Sequence, residues 1–325
     1  MNVPTMLNTP QPCRTTRAQA ILVLAALAHP LAFTYVCQAQ VASPEDVTFT
    51  TAEWEGERSS DGRPVVPEEL LERMKNVSLE EAWGVIRGHG YHNKFAGEWK
   101  MIHEDVPIVG RALTVQYLPN SPELAQRLLD KGHAEGRIGP MNSWPIDMLQ
   151  QGDVYVADSF GKIAWGTLIG DNLGNAIYAK SRNGVVFDGS IRDLEGLSKI
   201  DGFNAFVRGW DPTYIHEMML AGINTPIRIG EAVVLPGDVV LAKREGVLFI
   251  PAHLAQEVVE KSEIIMLRDT FGHQRLREGR YTPGQIDTQW SKEIEDDFYD
   301  WLESNMDVLP VPQSRIQEII SERTM

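Results

Sequence analysis

The repeated alternation of short apolar segments with amphipathic ones is the feature that most constrains the fold of this chain. Segments with strand character are predicted at residues 106–117, 152–158, 184–188, 203–207, 232–235, 239–242 and 247–250. Segments whose apolar residues follow helical spacing are predicted at residues 67–74, 78–87, 121–133, 171–181 and 252–267. Because strands and helices alternate, the sequence predicts an α/β sandwich or barrel-like core with mixed strand order, and it argues against a helical bundle.

The charge of the chain limits its partners. The 325 residues include 30 Lys and Arg against 45 Asp and Glu, which gives a formal charge of −15 and a pI near 5.0. An acidic chain without a run of basic residues repels phosphate backbones, so we expect no nucleic-acid partner. The hydrophobic content of 43% is ordinary for a globular protein, and the length allows one large domain or two.

The first 39 residues have the layout of a secretory signal. Arg14 and Arg17 precede the uncharged stretch Ala18–Val36, whose densest apolar part is Ala20–Ala28. This pattern predicts a signal peptide over residues 1–39 that is cleaved after Ala39, with an uncleaved anchor or a wrongly assigned start as alternatives. We therefore expect an exported protein, periplasmic or secreted, without stable membrane insertion after processing. Cleavage would also remove the two cysteines, Cys13 and Cys37.

The remainder divides into three predicted parts: a polar lead-in at 40–66, an α/β domain at 67–270, and a C-terminal helical extension at 271–325. In the extension, Trp290, Ile294, Phe298 and Trp301 share one face of an acidic amphipathic helix. This apolar face either packs on its own domain or docks on a neighbouring subunit, and the sequence leaves both alternatives open.

The residues between 152 and 197 carry the chemistry. The turn at 166–170 precedes the predicted helix that begins at Asp171, so its free amides and the positive helix end are suited to a carboxylate or phosphate. Asp171 is either a first-turn acid that supports this helix or a residue that faces a cation. Arg192 and Asp193 directly follow a predicted strand, where ligands of α/β folds collect.

Twenty residues separate Asp171 from the Arg192-Asp193 pair, and glycines and an apolar strand surround this motif. The segment resembles the RraA-like family, which is named for a regulator of ribonuclease E activity and includes 4-hydroxy-4-methyl-2-oxoglutarate aldolases and oxaloacetate decarboxylases. The resemblance extends over about residues 107–267. It implies an α/β fold, the RraA-like swivelling β/β/α sandwich, here with an added C-terminal amphipathic helix. It also implies a homo-oligomer, a trimer or hexamer with sites between subunits, in which a neighbouring subunit often supplies a further acid to the metal site.

The resemblance further implies a metal-dependent lyase that cleaves a carbon–carbon bond of a small 2-oxo acid. Asp193 would be the ligand of Mg²⁺ or Mn²⁺, Asp171 would hold a metal-bound water, and Arg192 would contact the keto oxygen and stabilise the enolate. The substrate carboxylate would bind the backbone amides of Leu168, Ile169 and Gly170. The regulators in the family generally lack the full motif that this chain keeps. A non-catalytic regulator or scaffold, and a lyase or epimerase of exported sugar acids, are the alternatives.

Four other features are weaker candidates. His89 and His92 could cover the site or bind metal, although two histidines in a loop are more often surface residues. The His216-Glu217 pair lacks the second histidine of a zinc hydrolase, and Ser159 lacks the glycines of a nucleophile elbow. Asp188 precedes a glycine and is predicted to form a turn.

Overall fold

A computed structural model describes residues 40–323. The predicted signal peptide at 1–39, including both cysteines, lies outside the described residues. Among the residues that are described, no helix is both long enough and apolar enough to cross a bilayer.

The described chain alternates helices and strands, as predicted. The α-helices are α1 (Pro44–Thr50), α2 (Glu68–Met74), α3 (Leu79–Gly88), α4 (Pro122–Ala134), α5 (Trp144–Asp147), α6 (Asp171–Ser181), α7 (Leu194–Leu197), α8 (Ala255–Arg277), α9 (Pro283–Ile286), α10 (Lys292–Asn305) and α11 (Gln313–Glu322). The strands are β1 (Phe95–Ala96), β2 (Lys100–Met101), β3 (Ile108–Pro119), β4 (Asp153–Thr167), β5 (Val185–Ile191), β6 (Ala205–Trp210), β7 (Met218–Ile223), β8 (Ile227–Ile229), β9 (Ala232–Val234), β10 (Val239–Lys243) and β11 (Gly246–Ile250).

One large mixed sheet organises the fold. Its order is β1-β11-β10-β3-β4-β5-β6-β2, and β7 pairs with the carboxyl half of β3. The central strands β3, β4, β5 and β6 are parallel, whereas β10, β11, β1, β2 and β7 pair antiparallel to their neighbours. The predicted mixed α/β fold is thereby confirmed. Because the central strands are parallel, β4 and β5 end at the same edge of the sheet.

Apolar side chains cover both faces of the central strands. Tyr155 and Phe187 pack on one face with residues of α5, α6 and α7, and Val154 and Val186 pack on the other with residues of β8 and β9. Such two-sided burial is typical of parallel strands joined by helical crossovers. The helices α2, α3 and the first half of α8 form a third cluster against β10 and β11.

The polar lead-in at 40–66 packs firmly on the domain. The backbone amide of Ile223 donates a hydrogen bond to the carbonyl of Gln40 at 2.7 Å, and Val47 of α1 is buried. Arg63 is also buried and pairs with Asp153, the first residue of β4, at 2.9 Å. The segment was predicted to lack a core of its own, and it contributes its residues to that of the domain.

The C-terminal extension continues from the domain without a break. The predicted boundary at residue 270 falls inside α8, a helix of 23 residues. The second half of α8 carries Phe271, whose ring lies 5.3 Å from that of Trp290 and 5.5 Å from that of Phe298. The apolar stripe of the extension is therefore buried within its own chain, which favours the first of the two alternatives for α10.

One local prediction was wrong, and one strand was missed. Asp188 lies inside β5 rather than in a turn, and its carboxylate accepts a hydrogen bond from the Arg208 guanidinium at 2.7 Å. The strand β7 was not predicted, because its six residues form an almost wholly apolar run without alternation.

Candidate active site

A cavity of about 110 Å³ lies where β4 and β5 end. Its lining residues come from the turn after β4, the start of α6, the Arg192-Asp193 pair after β5, and two shorter segments. They are Asn142, Thr167, Leu168, Ile169, Gly170, Asp171, Asn172, Leu173, Arg192, Asp193, Tyr214 and Ile215. The structure thus brings together the residues that the sequence motif predicted for the site.

The turn between β4 and α6 presents free amides to this cavity. Gly170 is the N-cap of α6, and the carbonyl of Ile169 accepts a hydrogen bond from the Arg192 amide at 3.0 Å. Within the described residues, the amides of Ile169, Gly170 and Asp171 have no hydrogen-bond acceptor. Together with the partial positive charge of the helix start, they are suited to an anionic oxygen.

The amide of Leu168 differs from this prediction. It donates to the carbonyl of Ser190 in the neighbouring strand at 3.0 Å, and the Leu168 side chain is buried. This amide is therefore engaged in the sheet and is removed from the predicted carboxylate-binding set, while Ile169 and Gly170 stay in it.

Gly170 allows the charged pair to approach the helix start. A Cβ atom at this position would lie 2.1 Å from Oδ2 of Asp193 and 3.1 Å from Nε of Arg192. A side chain here would displace the Asp193 carboxylate, because Cβ contacts below 3.0 Å essentially never occur, and it would press on the Arg192 guanidinium. The glycine thus places one carboxylate and one guanidinium directly beside the free amides.

Arg192 and Asp193 are only loosely paired with each other. Nε of Arg192 and Oδ2 of Asp193 are 3.5 Å apart, and the two side chains are 42% and 44% exposed. Asp193 has a φ of 57°, a left-handed conformation that is uncommon for a residue other than glycine. Both charged groups consequently keep hydrogen-bonding capacity that a ligand can use.

Asp171 joins the two helices that border the cavity. It is the first residue of α6, and its Oδ1 accepts a hydrogen bond from the Asn172 amide at 2.8 Å. A Cβ atom on Gly196 of α7 would lie 2.6 Å from its Oδ2, so the carboxylate packs closely on that glycine. Asp171 is therefore a first-turn acid of α6 and also a lining residue of the cavity.

The donor set is suited to a divalent ion that keeps most of its waters. In the described part of the chain, no three His, Cys, Asp or Glu residues cluster as a complete metal site. Mg²⁺ is commonly held by one or two carboxylates, with waters and substrate oxygens completing its shell. The half-exposed Asp193 carboxylate fits that requirement.

Asn142 and Tyr214 line the cavity and were not predicted from the sequence. The Asn142 side-chain amide donates to the Leu168 carbonyl at 2.7 Å, whereas its buried Oδ1 has no partner among the described residues. Tyr214 borders the cavity, and its ring lies 5.6 Å from that of Trp165. Asn142 and Tyr214 lie outside the motif in sequence, so only the tertiary fold brings them to it.

Trp165 has a φ of 59° within β4. A left-handed conformation is an outlier for so bulky a residue and costs on the order of 1–3 kcal/mol. Strain of this kind clusters at functional sites.

The weaker candidates lie elsewhere. His89 pairs with Glu257 at 3.0 Å, His92 is exposed, and neither lines the cavity. Ser159 is buried and its hydroxyl donates to the Asp188 carbonyl at 3.0 Å, as a structural residue would. The His216 ring packs against those of Trp165 and Tyr214.

Two known proteins are similar in sequence to part of this chain. A Legionella pneumophila protein called DlpA is 29% identical over 201 residues, which are 62% of this chain and 30% of DlpA. A Halalkalibacterium halodurans protein bearing the name "Putative 4-hydroxy-4-methyl-2-oxoglutarate aldolase" is 31% identical over 112 residues, which are 34% of this chain and 52% of that protein. The chain thus spans about a third to a half of the length of these relatives.

The crystal structure of Streptomyces coelicolor RraAS2, described as an unusual member of the RNase ES inhibitor RraA protein family, has the same fold. It superposes with a TM-score of 0.56 and 24% identity, over 65% of this chain and all of RraAS2. The family model RraA-like, Aldolase/RraA, matches residues 79–249, which are more than half of the chain and include all of β1 to β10 and most of β11. The chain therefore belongs to the RraA-like family.

Proposed function

We propose that the protein is a divalent-metal-dependent lyase that cleaves a carbon–carbon bond of a 2-oxo acid through a pyruvate enolate. The reaction is the retro-aldol cleavage of a 4-hydroxy-2-oxo acid, the decarboxylation of oxaloacetate, or both. One observation carries this proposal: a single cavity joins free helix-start amides, a loosely paired arginine and two carboxylates. Such a set can bind a carboxylate, a cation and a developing oxyanion at once.

The substrate carboxylate binds at the turn before α6. The amides of Ile169 and Gly170 donate to it, and the positive end of the α6 dipole stabilises its charge. This contact orients the 2-oxo group toward Arg192 and Asp193, which lie against Gly170. Binding in a fixed orientation removes part of the entropic cost of the reaction.

Arg192 stabilises the charge that develops on the keto oxygen. When the C3–C4 bond breaks, its electron pair moves into the enolate, and the second product leaves as an aldehyde or ketone, or as CO₂ in a decarboxylation. In the retro-aldol reaction a base takes the proton of the C4 hydroxyl as the bond breaks, whereas the C4 carboxylate of oxaloacetate has no such proton to lose. In both reactions a proton then adds to C3 to give pyruvate. A guanidinium is permanently charged and directional, so it suits the enolate oxygen.

Asp193 would hold Mg²⁺ or Mn²⁺, and Asp171 would orient a water beside it and accept the hydroxyl proton through that water. The ion would supply a Lewis acid for the keto and carboxylate oxygens. Asn142 adds a buried acceptor, its unpartnered Oδ1, to the same cavity.

We also propose that the protein is exported and works as a homo-oligomer, a trimer or hexamer. Export rests on the signal pattern of residues 1–39. The tail stripe does not support oligomerisation, because it is buried within the chain. What supports it is the family and the cavity, whose described lining includes the carboxylates of Asp171 and Asp193, to which a second copy can add an acid. Light scattering tests the oligomer, and N-terminal sequencing of the exported protein tests cleavage after Ala39.

The decisive experiment measures pyruvate release by the purified protein from oxaloacetate and from a panel of 4-hydroxy-2-oxo acids. Assays with Mg²⁺, with Mn²⁺ and with chelator are compared with metal-only reactions, since divalent ions alone decarboxylate oxaloacetate. We expect metal-dependent pyruvate formation above that background. No excess with any substrate would favour a regulator or scaffold of the same fold, and activity confined to sugar-derived acids would favour the exported sugar-acid lyase.

A further inference from the structure

Three aromatic rings, Trp165, Tyr214 and His216, form a cluster at the border of the cavity. Their ring centroids lie 5.6 to 6.0 Å apart, in edge-to-face contacts. Tyr214 and its neighbour Ile215 line the cavity itself, while the Trp165 and Tyr214 side chains are 41% and 53% exposed. This aromatic cluster is therefore continuous with the cavity and open to a ligand within it.

The backbone holds these rings in place. Thr213 Oγ1 accepts a hydrogen bond from the Trp165 amide at 2.6 Å, and the Trp165 carbonyl accepts one from the His216 amide at 3.0 Å. The Thr213 amide in turn donates to the Asp211 carboxylate at 3.0 Å. Trp165 keeps its left-handed backbone although its side chain is half exposed. A strained, hydrogen-bonded and exposed aromatic contributes little to folding, so its geometry is explained better by binding.

The charges around the cavity favour a substrate with a single carboxylate. Among the described residues that line it in one copy, Arg192 alone has a cationic side chain, whereas Asp171 and Asp193 are both acidic. Lys162, on the same stretch of β4 as Trp165, is paired with Glu217. Arg192 and the free amides bind the 2-oxo acid end. A second carboxylate at the other end would therefore lie beside the aromatic rings and the two acidic side chains of the same copy.

From this geometry we infer that the site selects 2-oxo acids whose distal substituent is aromatic or otherwise apolar, and that this substituent packs on Tyr214 and Trp165. The inference rests on the proposed function and deepens it: the substrate class is 4-hydroxy-2-oxo monocarboxylic acids rather than dicarboxylic ones. Tyr214 is then a specificity residue that contacts the part of the substrate remote from the bond that breaks.

The first test compares kcat/KM for two substrates, 4-hydroxy-2-oxo-4-phenylbutanoate and 4-hydroxy-2-oxoglutarate. The native protein should prefer the phenyl substrate by about tenfold or more, since a buried aromatic contact is worth roughly that factor. Tyr214→Ala should remove most of the preference through a higher KM for the phenyl substrate, and Tyr214→Phe should keep it. Tyr214→Arg should shift the preference toward the dicarboxylate. Phe49→Ala, which removes an exposed ring of α1, is the matched control.

The second test does not require turnover. Calorimetry with Mg²⁺ present compares binding of 2-oxo-4-phenylbutanoate with that of 2-oxoglutarate, neither of which can undergo the cleavage. Tighter binding of the phenyl acid that is lost in Tyr214→Ala supports the inference, even if the protein cleaves none of the substrates. Equal binding of the two acids overturns it, even if the protein is an active lyase. It is also overturned if Tyr214→Ala weakens all substrates equally while lowering the particle mass in light scattering, because the rings would then form a contact between copies.

Discussion

Two groups of aspartates and arginines lie at opposite ends of strand β4, and they differ in burial and pairing. At the amino end, Arg63 contacts both Asp61 and Asp153 at 2.9 Å, and the Arg63 and Asp153 side chains are only 3% and 2% exposed. At the carboxyl end, Arg192 and Asp193 are 3.5 Å apart and more than two fifths exposed. The same residue types thus form a buried, fully paired network at the amino end of β4 and an exposed, loosely paired one, the open cluster, at the carboxyl end.

The pKa shifts of Asp61 and Arg63 show that both residues of the buried network are held in their charged forms. Burial alone would raise the pKa of Asp61, but the adjacent Arg63 and hydrogen bonds from Ser59, Arg63 and Asn224 hold it below its ordinary value. Burial likewise opposes the charge of Arg63, yet Asp153 and Asp61 raise its pKa. We conclude that loss of one partner from the buried cluster destabilises the fold, whereas the exposed cluster has spare hydrogen-bonding capacity that is available to a ligand.

The largest expected effect is the loss of stability caused by a substitution in the buried network at the amino end of β4. Arg63→Met should lower the free energy of unfolding by about 3–5 kcal/mol, because Asp61 loses its cation and the buried Asp153 keeps only the longer contact with Arg111 at 3.4 Å. Arg192→Met should lower it by less than about 1 kcal/mol, since its pair is loose and solvated. Denaturant unfolding of the two variants measures the contrast. Equal losses of unfolding free energy in the two variants would show that the two groups do not differ in their contribution to stability.

The second largest expected effect is the loss of turnover caused by a substitution in the open cluster at the carboxyl end of β4. Arg192→Met should reduce kcat about 10²- to 10³-fold, the usual cost of removing one group that stabilises a developing oxyanion. Lys199→Met is the matched control, because Lys199 is an exposed cation nearby that pairs only with the exposed Glu195. Initial rates of pyruvate release measure both variants. Full activity in Arg192→Met would remove this residue from the mechanism.

A smaller effect is expected for Asp171. Asp171→Ala should cut turnover about 10- to 100-fold, as is typical of a residue that orients the ligands of a metal without binding it. Glu195→Ala, which removes an exposed acid from α7, should leave the rate unchanged. A rate in Asp171→Ala that matches the Glu195→Ala control would restrict Asp171 to its structural role at the start of α6.

The smallest expected effect is on how the stability of the protein depends on pH. Because the pKa of Asp61 is lower in the folded protein than its ordinary value near 3.8, its contribution to stability is present above that value and is lost as the pH falls through the folded pKa. Unfolding midpoints between pH 7 and pH 2.5 should therefore fall less steeply at the acid end in Asp61→Asn than in the native protein. Parallel curves would show that Asp61 does not sense pH through this pair.

The sequence predicted those parts of the fold and site that are encoded locally. The segment from β4 through α6 to β5 carries its strand and helix signals and its motif within 46 residues, and α6 begins and ends where it was expected. The capping box of Ser78 and Glu81 at α3 is another local signal that is confirmed.

Features that depend on distant partners were not predicted. Arg63 finds Asp153 across 90 residues, and Asn142 meets Leu168 across 26. The hydrogen bond from the Leu168 amide to the Ser190 carbonyl also depends on the register between β4 and β5, and no local sequence pattern specifies that register. Likewise, the stripe on α10 is visible in the sequence, but its partner, Phe271 of α8, is visible only in the fold.

The most direct test of the central claim, that the open cluster is the metal-dependent site, is a calorimetric Mn²⁺ titration of the native protein, Asp193→Ala and Glu195→Ala. Asp193 is the proposed ligand, and Glu195 lies two residues away with only a surface partner. We expect the native protein and Glu195→Ala to bind Mn²⁺ alike and Asp193→Ala to lose the binding. Unchanged Mn²⁺ affinity in Asp193→Ala would show that the ion is bound elsewhere and that the open cluster is not the metal site.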